Sequence, residues 1–178
     1  MRIIGGKFKG RKFNPPAGKW PTRPTTDFAK EGLFNILTNV FDFVEVKALD
    51  LFGGTGSIAY ELVSRGCSDV TYVDQYFPCI AYVKKTKDLL DLRGEIKIIK
   101  YDVFKFIPKT ETRFDLIFAD PPYAHPDLSK LPDMIFEYGL LNPEGWFILE
   151  HDNKSDFETH SRFFRKQKYG NNIFSFFK

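Results

Sequence analysis

The 178-residue chain is 43% hydrophobic and 17% aromatic, with a formal net charge of +3. That composition excludes a disordered or fibrous polypeptide and fits one domain with a real core. No apolar run approaches the roughly 20 residues of a membrane span and no secretory leader opens the chain, so a cytoplasmic protein is expected. Its two cysteines, Cys67 and Cys79, lack metal-like spacing and read as reduced, buried thiols.

The first 30 residues hold eight basic side chains (Arg2, Lys7, Lys9, Arg11, Lys12, Lys19, Arg23 and Lys30) and one acid, Asp27. That segment is +7, and since the whole is +3, residues 31–178 carry −4. Arg2-Ile3-Ile4, Lys7-Phe8-Lys9 and Arg11-Lys12-Phe13, separated by glycines, read as short strands, followed by a Pro-rich loop. A solvated basic tail is the plain explanation. Interleaved glycine, proline and aromatic residues favour a nucleic-acid arm.

Thr26 is a helix N-cap and Asp27 suits the first turn. Phe28, Ala29, Leu33, Phe34, Ile36, Leu37, Val40 and Phe41 keep helical spacing to about residue 41. Alternating elements follow. Strands are expected at Val46–Phe52, Val70–Asp74, Glu95–Tyr101, Phe114–Ala119 and Trp146–Glu150, with helices near 57–65, 78–92 and 128–138. This βαβ series predicts an α/β fold with a parallel, doubly wound sheet. Residues 163–169 and 173–177, around Gly170-Asn171-Asn172, predict a terminal antiparallel hairpin.

Chemistry concentrates where these strands end. In Asp50-Leu51-Phe52-Gly53-Gly54-Thr55-Gly56, glycines between a strand and a helix let a ligand approach the backbone. Asp74 ends the second strand at the spacing of a ribose-binding acid. Asp102 follows the third, and the fourth runs into Asp120-Pro121-Pro122-Tyr123, where two prolines force the chain out of the sheet. One such aspartate would be a cap or a solvated turn. Four on one rim make an acid-lined crevice. Gly54-Thr55-Gly56-Ser57-Ile58-Ala59 also matches G-x-G-x-x-A, which brings in a nicotinamide dehydrogenase. Asp50 just ahead of the glycines serves a pyrophosphate poorly and a sulfonium cofactor's amino group well.

Taken in order, Asp50-x-Phe52-x-Gly54-x-Gly56, Asp74, Asp102 and Asp120-Pro121-Pro122-Tyr123 resemble an S-adenosylmethionine-dependent amino-group methyltransferase. Met1–Gly6, Gly10-Arg11, Arg23-Pro24-Thr25, Leu33-Phe34-Asn35, Ser64-Arg65-Gly66 and Tyr169-Gly170 extend this to nearly the whole chain. The chain is similar to the RsmD-type small-subunit rRNA guanine-N2 methyltransferases. Gly53, Thr55, Asp74 and Phe28 stand where that family usually has Ala, Ser, Glu and Arg.

The resemblance implies a Rossmann-like class I methyltransferase fold at 26–178, with a mostly parallel seven-stranded sheet, and a small basic N-terminal β/loop extension at 1–25. It implies S-adenosyl-L-methionine held by Asp50, Phe52, Gly54, Gly56, Asp74, Gln75, Asp102 and Val103. It places the target amine on Asp120, Pro121, Pro122 and Tyr123, and RNA on Arg2, Lys7, Lys9, Arg11, Lys12 and Arg23. The implied partner is rRNA, free or within the small subunit or its assembly intermediate, without metal or membrane. A DNA adenine or cytosine amino-methyltransferase and a non-catalytic RNA-binding module are the alternatives. The first lacks a spare segment to read DNA sequence, and the second does not need the strand-end acids. His125, His151 and His160 are scattered and read as solvated or core histidines, with His125 close enough to Tyr123 to touch substrate.

Overall fold

The computed structural model describes residues 1–15 and 25–178, so Arg23 and most of the Pro-rich loop lie outside the described residues. Its middle is made by β1 (Lys47–Leu51) and β4 (Phe114–Ala119), whose near-continuous apolar runs are buried on both faces, as a central parallel strand requires. The seven strands are ordered β3-β2-β1-β4-β5-β7-β6, with β2 at Asp69–Asp74, β3 at Ile96–Lys100, β5 at Leu141–His151, β6 at Phe163–Tyr169 and β7 at Asn172–Phe177. β1 to β5 pair in parallel, whereas β7 runs antiparallel between β5 and β6. The α/β, mostly parallel seven-stranded sheet with a C-terminal hairpin is therefore as expected, closed by the two-residue turn Gly170-Asn171 between paired Tyr169 and Asn172.

Helices cover both faces. α1 (Asp27–Thr38), α2 (Ser57–Ser64) and α3 (Phe77–Leu89) bury Leu33, Phe34, Ile58, Leu62 and Val83 with Ala48, Tyr72 and Phe118. On the other face α4 (Val103–Phe106) and α5 (Leu131–Glu137) bury Val103 and Ile135 with Leu49, Val73, Ile117 and Leu149. Alternate residues of each strand thus feed two separate cores.

Thr26 caps α1 as expected, its Oγ1 accepting from the Ala29 amide at 3.1 Å. α1 stops at Thr38 and turns through residues 39 and 40, short of Phe41. Four further details differ from the sequence expectation. α4 is absent from it because four residues are too few for a periodic signal; the Asp102 side chain caps them. The helix expected over 128–138 begins as a 3-10 turn, Leu128–Lys130, before α5. β5 starts at Leu141, opposite Phe114, and an irregularity shifts its register before Trp146. Among the described residues of the N-terminal extension the β structure is one antiparallel bridge, Arg2 to Lys12, and Lys7-Phe8 lies in a 3-10 turn, Gly6–Phe8, that leaves no room for a strand of its own.

This extension is fastened to the body. The Glu61 carboxylate on α2 accepts from the Ile4 and Gly5 amides, each at 2.8 Å, and Phe8 N donates to Ser64 Oγ at 2.9 Å. Lys30, fully buried in α1, donates to the Arg2 carbonyl at 2.6 Å and to Ser57 Oγ at 3.0 Å, and pairs with Glu61 at 3.6 Å. Ile3 is buried in the same core as α1 and α2.

Candidate active site

Strand periodicity decides which carboxylates meet. Side chains alternate between faces, so Asp50 shares the α1–α3 face with Ala48, Asp74 with Tyr72, and Asp120 with Phe118. The pairing of Ala119 with Leu149 continues to put Glu150 beside Asp120. Four strand-end acids therefore project to one side of one edge.

The turn after β1 is held from several directions. Gly56, at φ 76°, occupies the left-handed region at the head of α2, where a side chain would be strained. Gly54 donates from its amide to Asp74 Oδ2 at 2.9 Å, and its carbonyl accepts from the Tyr72 hydroxyl at 2.7 Å. Asp50, 1% exposed, accepts from the Ala59 amide at 3.2 Å. Phe52 is a non-glycine residue at φ 55°, a strained conformation of the kind that gathers at functional sites.

Burial makes these acids reluctant to ionise. The Asp50 pKa is pushed up to about 8, chiefly by burial and then by the neighbouring Asp74. Asp74 is also raised by burial, against the pull of backbone amides including those of Tyr76 and Gly54. Asp120 lies well above the ordinary carboxylate range through burial, the adjacent Glu150 and Asp50.

Two openings meet at this edge. A cavity of about 20 Å³ lies among Asp50, Gly53, Thr55, Ser57 and Asp120, enough for one water-sized group such as an ammonium. Beside it a cleft of about 440 Å³ is lined by Phe52, Asp74, Gln75, Phe77, Asp120 and His125, also touching Tyr76 and Pro122. That size suits a nucleoside-bearing cofactor. The residues fit S-adenosyl-L-methionine: a carboxylate faces the small cavity, Asp74 the cleft, and aromatic rings form much of the remaining wall.

Asp50, Phe52, Gly54, Asp74, Gln75, Asp120 and Pro122 thus come together. Asp102 is at the same strand edge, but its Oδ1 caps α4 by accepting from Lys105 N at 3.1 Å, and Val103 faces the core below. Pro121 is buried, while Tyr123 is 38% exposed and its hydroxyl donates to Glu150 at 3.3 Å. The basic residues are dispersed. Arg2, Lys7, Lys9, Arg11 and Lys12 are all exposed, with Arg2 paired to Asp27 at 3.3 Å. Lys7 pairs with Glu95 at 3.8 Å, and Arg11 donates to the Leu89 carbonyl at 3.4 Å. Leu89 ends α3 and Glu95 immediately precedes β3, so Lys7 and Arg11 lie at the sheet edge opposite the carboxylates.

Two participants escaped the sequence reading. Glu150, 1% exposed, accepts from Thr25 Oγ1 at 2.8 Å, from the Asn172 side-chain amide and from Tyr123. A fifth strand ending in an acid was the available signal. Phe104 of α4 stacks on His125, rings 4.6 Å apart and 20° from parallel, which brings His125 to the cleft. His151 is a core residue bonded to Ser175, and His160 meets Asp133. Among the described residues no His, Cys, Asp or Glu group of three or more is arranged to hold a metal, and no helix is long and apolar enough to cross a membrane.

Comparison with known proteins supplies the remaining findings. A family model described as Conserved hypothetical protein 95 matches residues 1–178. YlbH of Bacillus subtilis (strain 168), provisionally named an rRNA methyltransferase, is 38% identical over 157 residues, covering 86% of this chain and 84% of its own. Ribosomal RNA small subunit methyltransferase D of Escherichia coli (strain K12) is 29% identical over 160 residues, 89% of this chain and 78% of that protein. The solved structure of yhhF from Escherichia coli, provisionally described as a methyltransferase, superposes with a TM-score of 0.85 at 26% identity, covering 99% of this chain and 96% of that one.

Proposed function

The chain belongs to the Conserved hypothetical protein 95 family, that of the RsmD-type methyltransferases, and on that premise we propose that it methylates small-subunit rRNA from S-adenosyl-L-methionine, at the exocyclic N2 of a guanine. The observation that carries the reading is the shared face. A cofactor-sized cleft with Asp74 in its wall opens onto Asp120, and Asp50 lies behind the small cavity between them.

S-adenosyl-L-methionine supplies a methyl group already activated on a sulfonium, so the protein's work is placement. Asp50 would face the amino group, the Gly54–Gly56 turn would carry the methionine part, and Asp74 would receive the ribose hydroxyls. Asp102 and Val103 head the adenine end, with Phe52 and Gln75 in the wall. On the acceptor side, guanine N2 is a weak nucleophile because its lone pair is delocalised into the ring. Asp120 and the Pro121 carbonyl would accept its hydrogens and turn the lone pair towards the methyl. As N2 gains a carbon it must lose a proton, and a raised pKa equips the Asp120 carboxylate to take it. Pro122 shapes the turn, and the partly exposed Tyr123 ring is available to stack on a base flipped out of the RNA.

Glu150 acts through its neighbours. It joins Thr25 ahead of α1, Asn172 of β7 and Tyr123 of the acceptor loop, and its charge raises Asp120. Arg2, Lys7, Lys9, Arg11, Lys12 and Arg23 would meet RNA phosphates. Because Lys7 and Arg11 lie at the far sheet edge, such an RNA would run along the α2 flank and not only across the carboxylate rim. On this reading the protein would act in the cytoplasm with its substrate, the basic extension at 1–25 gripping RNA and 26–178 carrying the methyl transfer.

The experiment is incubation with methyl-labelled cofactor and rRNA, both naked and in assembled small subunits, followed by nucleoside mass mapping. N2-methylguanosine is expected. Label on adenine or cytosine, or in DNA, would replace this reading with an amino-methyltransferase of another acceptor, and cofactor-independent RNA retention without label would leave only a binding module.

A further inference from the structure

Phe28 is 68% exposed in the first turn of α1, an unusual position for a large apolar ring. It meets the Tyr169 ring edge-on, centroids 5.6 Å apart at 85°. Tyr169 is in turn seated against α1 at Gly32: a Cβ there would come within 2.2 Å of its ring. The helix therefore gives up a side chain at this point to admit the tyrosine. The two rings border a cleft of about 590 Å³ that also takes in Asn35, Ile36 and Arg165.

The position of this cleft follows from Glu150. Thr25, three residues before Phe28, and Asn172, three after Tyr169, both donate to that carboxylate, as does Tyr123. The ring pair is thus anchored at both ends to the group that holds the acceptor loop. Charge adds a direction. Arg165 of β6 lines the cleft on the same face as Tyr169, and among its described residues only Glu31 is acidic, whereas Lys166 and Lys168 alternate to the other face of the strand, where Lys166 pairs with Glu158. Lysines on an edge strand discourage strand addition, which accounts for Lys166 and Lys168 but not for the exposed phenylalanine that meets Tyr169.

We propose that this cleft receives an unpaired nucleobase of the RNA next to the target, stacked on Phe28 with Tyr169 at its edge, and that Arg165 meets an adjoining phosphate. The proposal rests on RNA being the substrate. A base offers a flat face to any aromatic ring, so the site would hold a neighbour in place without choosing its identity. The target guanine would then be fixed by two aromatic contacts, Tyr123 on itself and Phe28 on the flanking nucleotide.

The test uses the full chain, a single-stranded RNA oligonucleotide carrying one 2-aminopurine, and rRNA turnover. Stacking quenches 2-aminopurine, so wild type should quench it and Phe28→Ala should not. Phe28→Ala should raise KM for rRNA about tenfold with kcat and cofactor affinity unchanged, Phe28→Trp should restore it, and Arg165→Gln should flatten the salt dependence. An unchanged KM in Phe28→Ala, or full rescue by Phe28→Leu, would overturn the proposal, the latter pointing to an apolar protein contact. If wild type transfers no methyl to RNA, the methylation reading fails by itself; quenching that depends on Phe28 would still uphold the base site, and its absence would remove it.

Discussion

The Tyr123 hydroxyl donates to Glu150 Oε1 at 3.3 Å, and the same carboxylate accepts from Thr25 and Asn172. One buried acid therefore holds Tyr123 to the start of α1 and to the terminal hairpin. It also lies beside Asp120, whose carboxyl it makes harder to ionise.

Replacing Glu150 by Gln should separate these two effects. Loss of the neighbouring negative charge lowers the Asp120 pKa, so the acid limb of the rate–pH profile moves to lower pH. A profile unmoved on its acid side would show that Asp120 does not limit the rate there.

Asp120→Ala should reduce methyl transfer by about a hundredfold or more, with cofactor binding by calorimetry nearly unchanged. Normal turnover would remove Asp120 from the acceptor role.

Asp50 predicts a proton linked to cofactor binding. In the free protein its pKa is near 8, so at pH 7 it is mostly protonated. A cationic amino group beside it favours the carboxylate, and binding at pH 7 should release a proton, with affinity rising towards pH 8. Calorimetry in two buffers of different ionisation enthalpy reads that proton directly, and Asp50→Asn should abolish it. The stability sign runs the other way. Because the folded pKa is raised from 3.8, the group favours the folded state below that value and this contribution is lost as pH rises through about 8.

Glu61→Ala should leave Lys30 buried without its counter-charge and free the Ile4 and Gly5 amides. Breaking a buried pair costs about 3–5 kcal/mol, which for a domain of this size lowers Tm by roughly 10 °C. A melt within 2 °C, on the order of measurement scatter, would mean water replaces these bonds.

Lys7→Ala and Arg11→Ala, far from the carboxylate rim, should each reduce the slope of log RNA affinity against log salt by about 1. Unchanged slopes would confine RNA to the rim.

The sequence marked Asp50, Asp74 and Asp120 because each follows a run of buried strand residues, a pattern local enough to see in one line of text. That they share a face also follows from period two. Glu150 obeys the same rule, yet Trp146–Glu150 reads as plain strand because its ending has no proline or glycine to announce it. α4 escaped because four residues hold barely one turn. The dispersal of Lys7 and Arg11 away from the site depends on Glu61 drawing the extension along α2, and a bond 57 residues apart leaves no trace in local pattern. Phe28 looked like a core position by spacing; only the rotation of α1 on the body turns it outward.

The anchoring of the extension has a bearing on synthesis. Ile4 and Gly5 leave the ribosome before their acceptor, Glu61, and Arg2 before its partner, Lys30. These residues must wait for α1 and then α2 before their own polar groups are satisfied. Residues 1–13 therefore fold with the half of the domain that follows them, and this basic segment stays unfastened until Lys30 and Glu61 are in place.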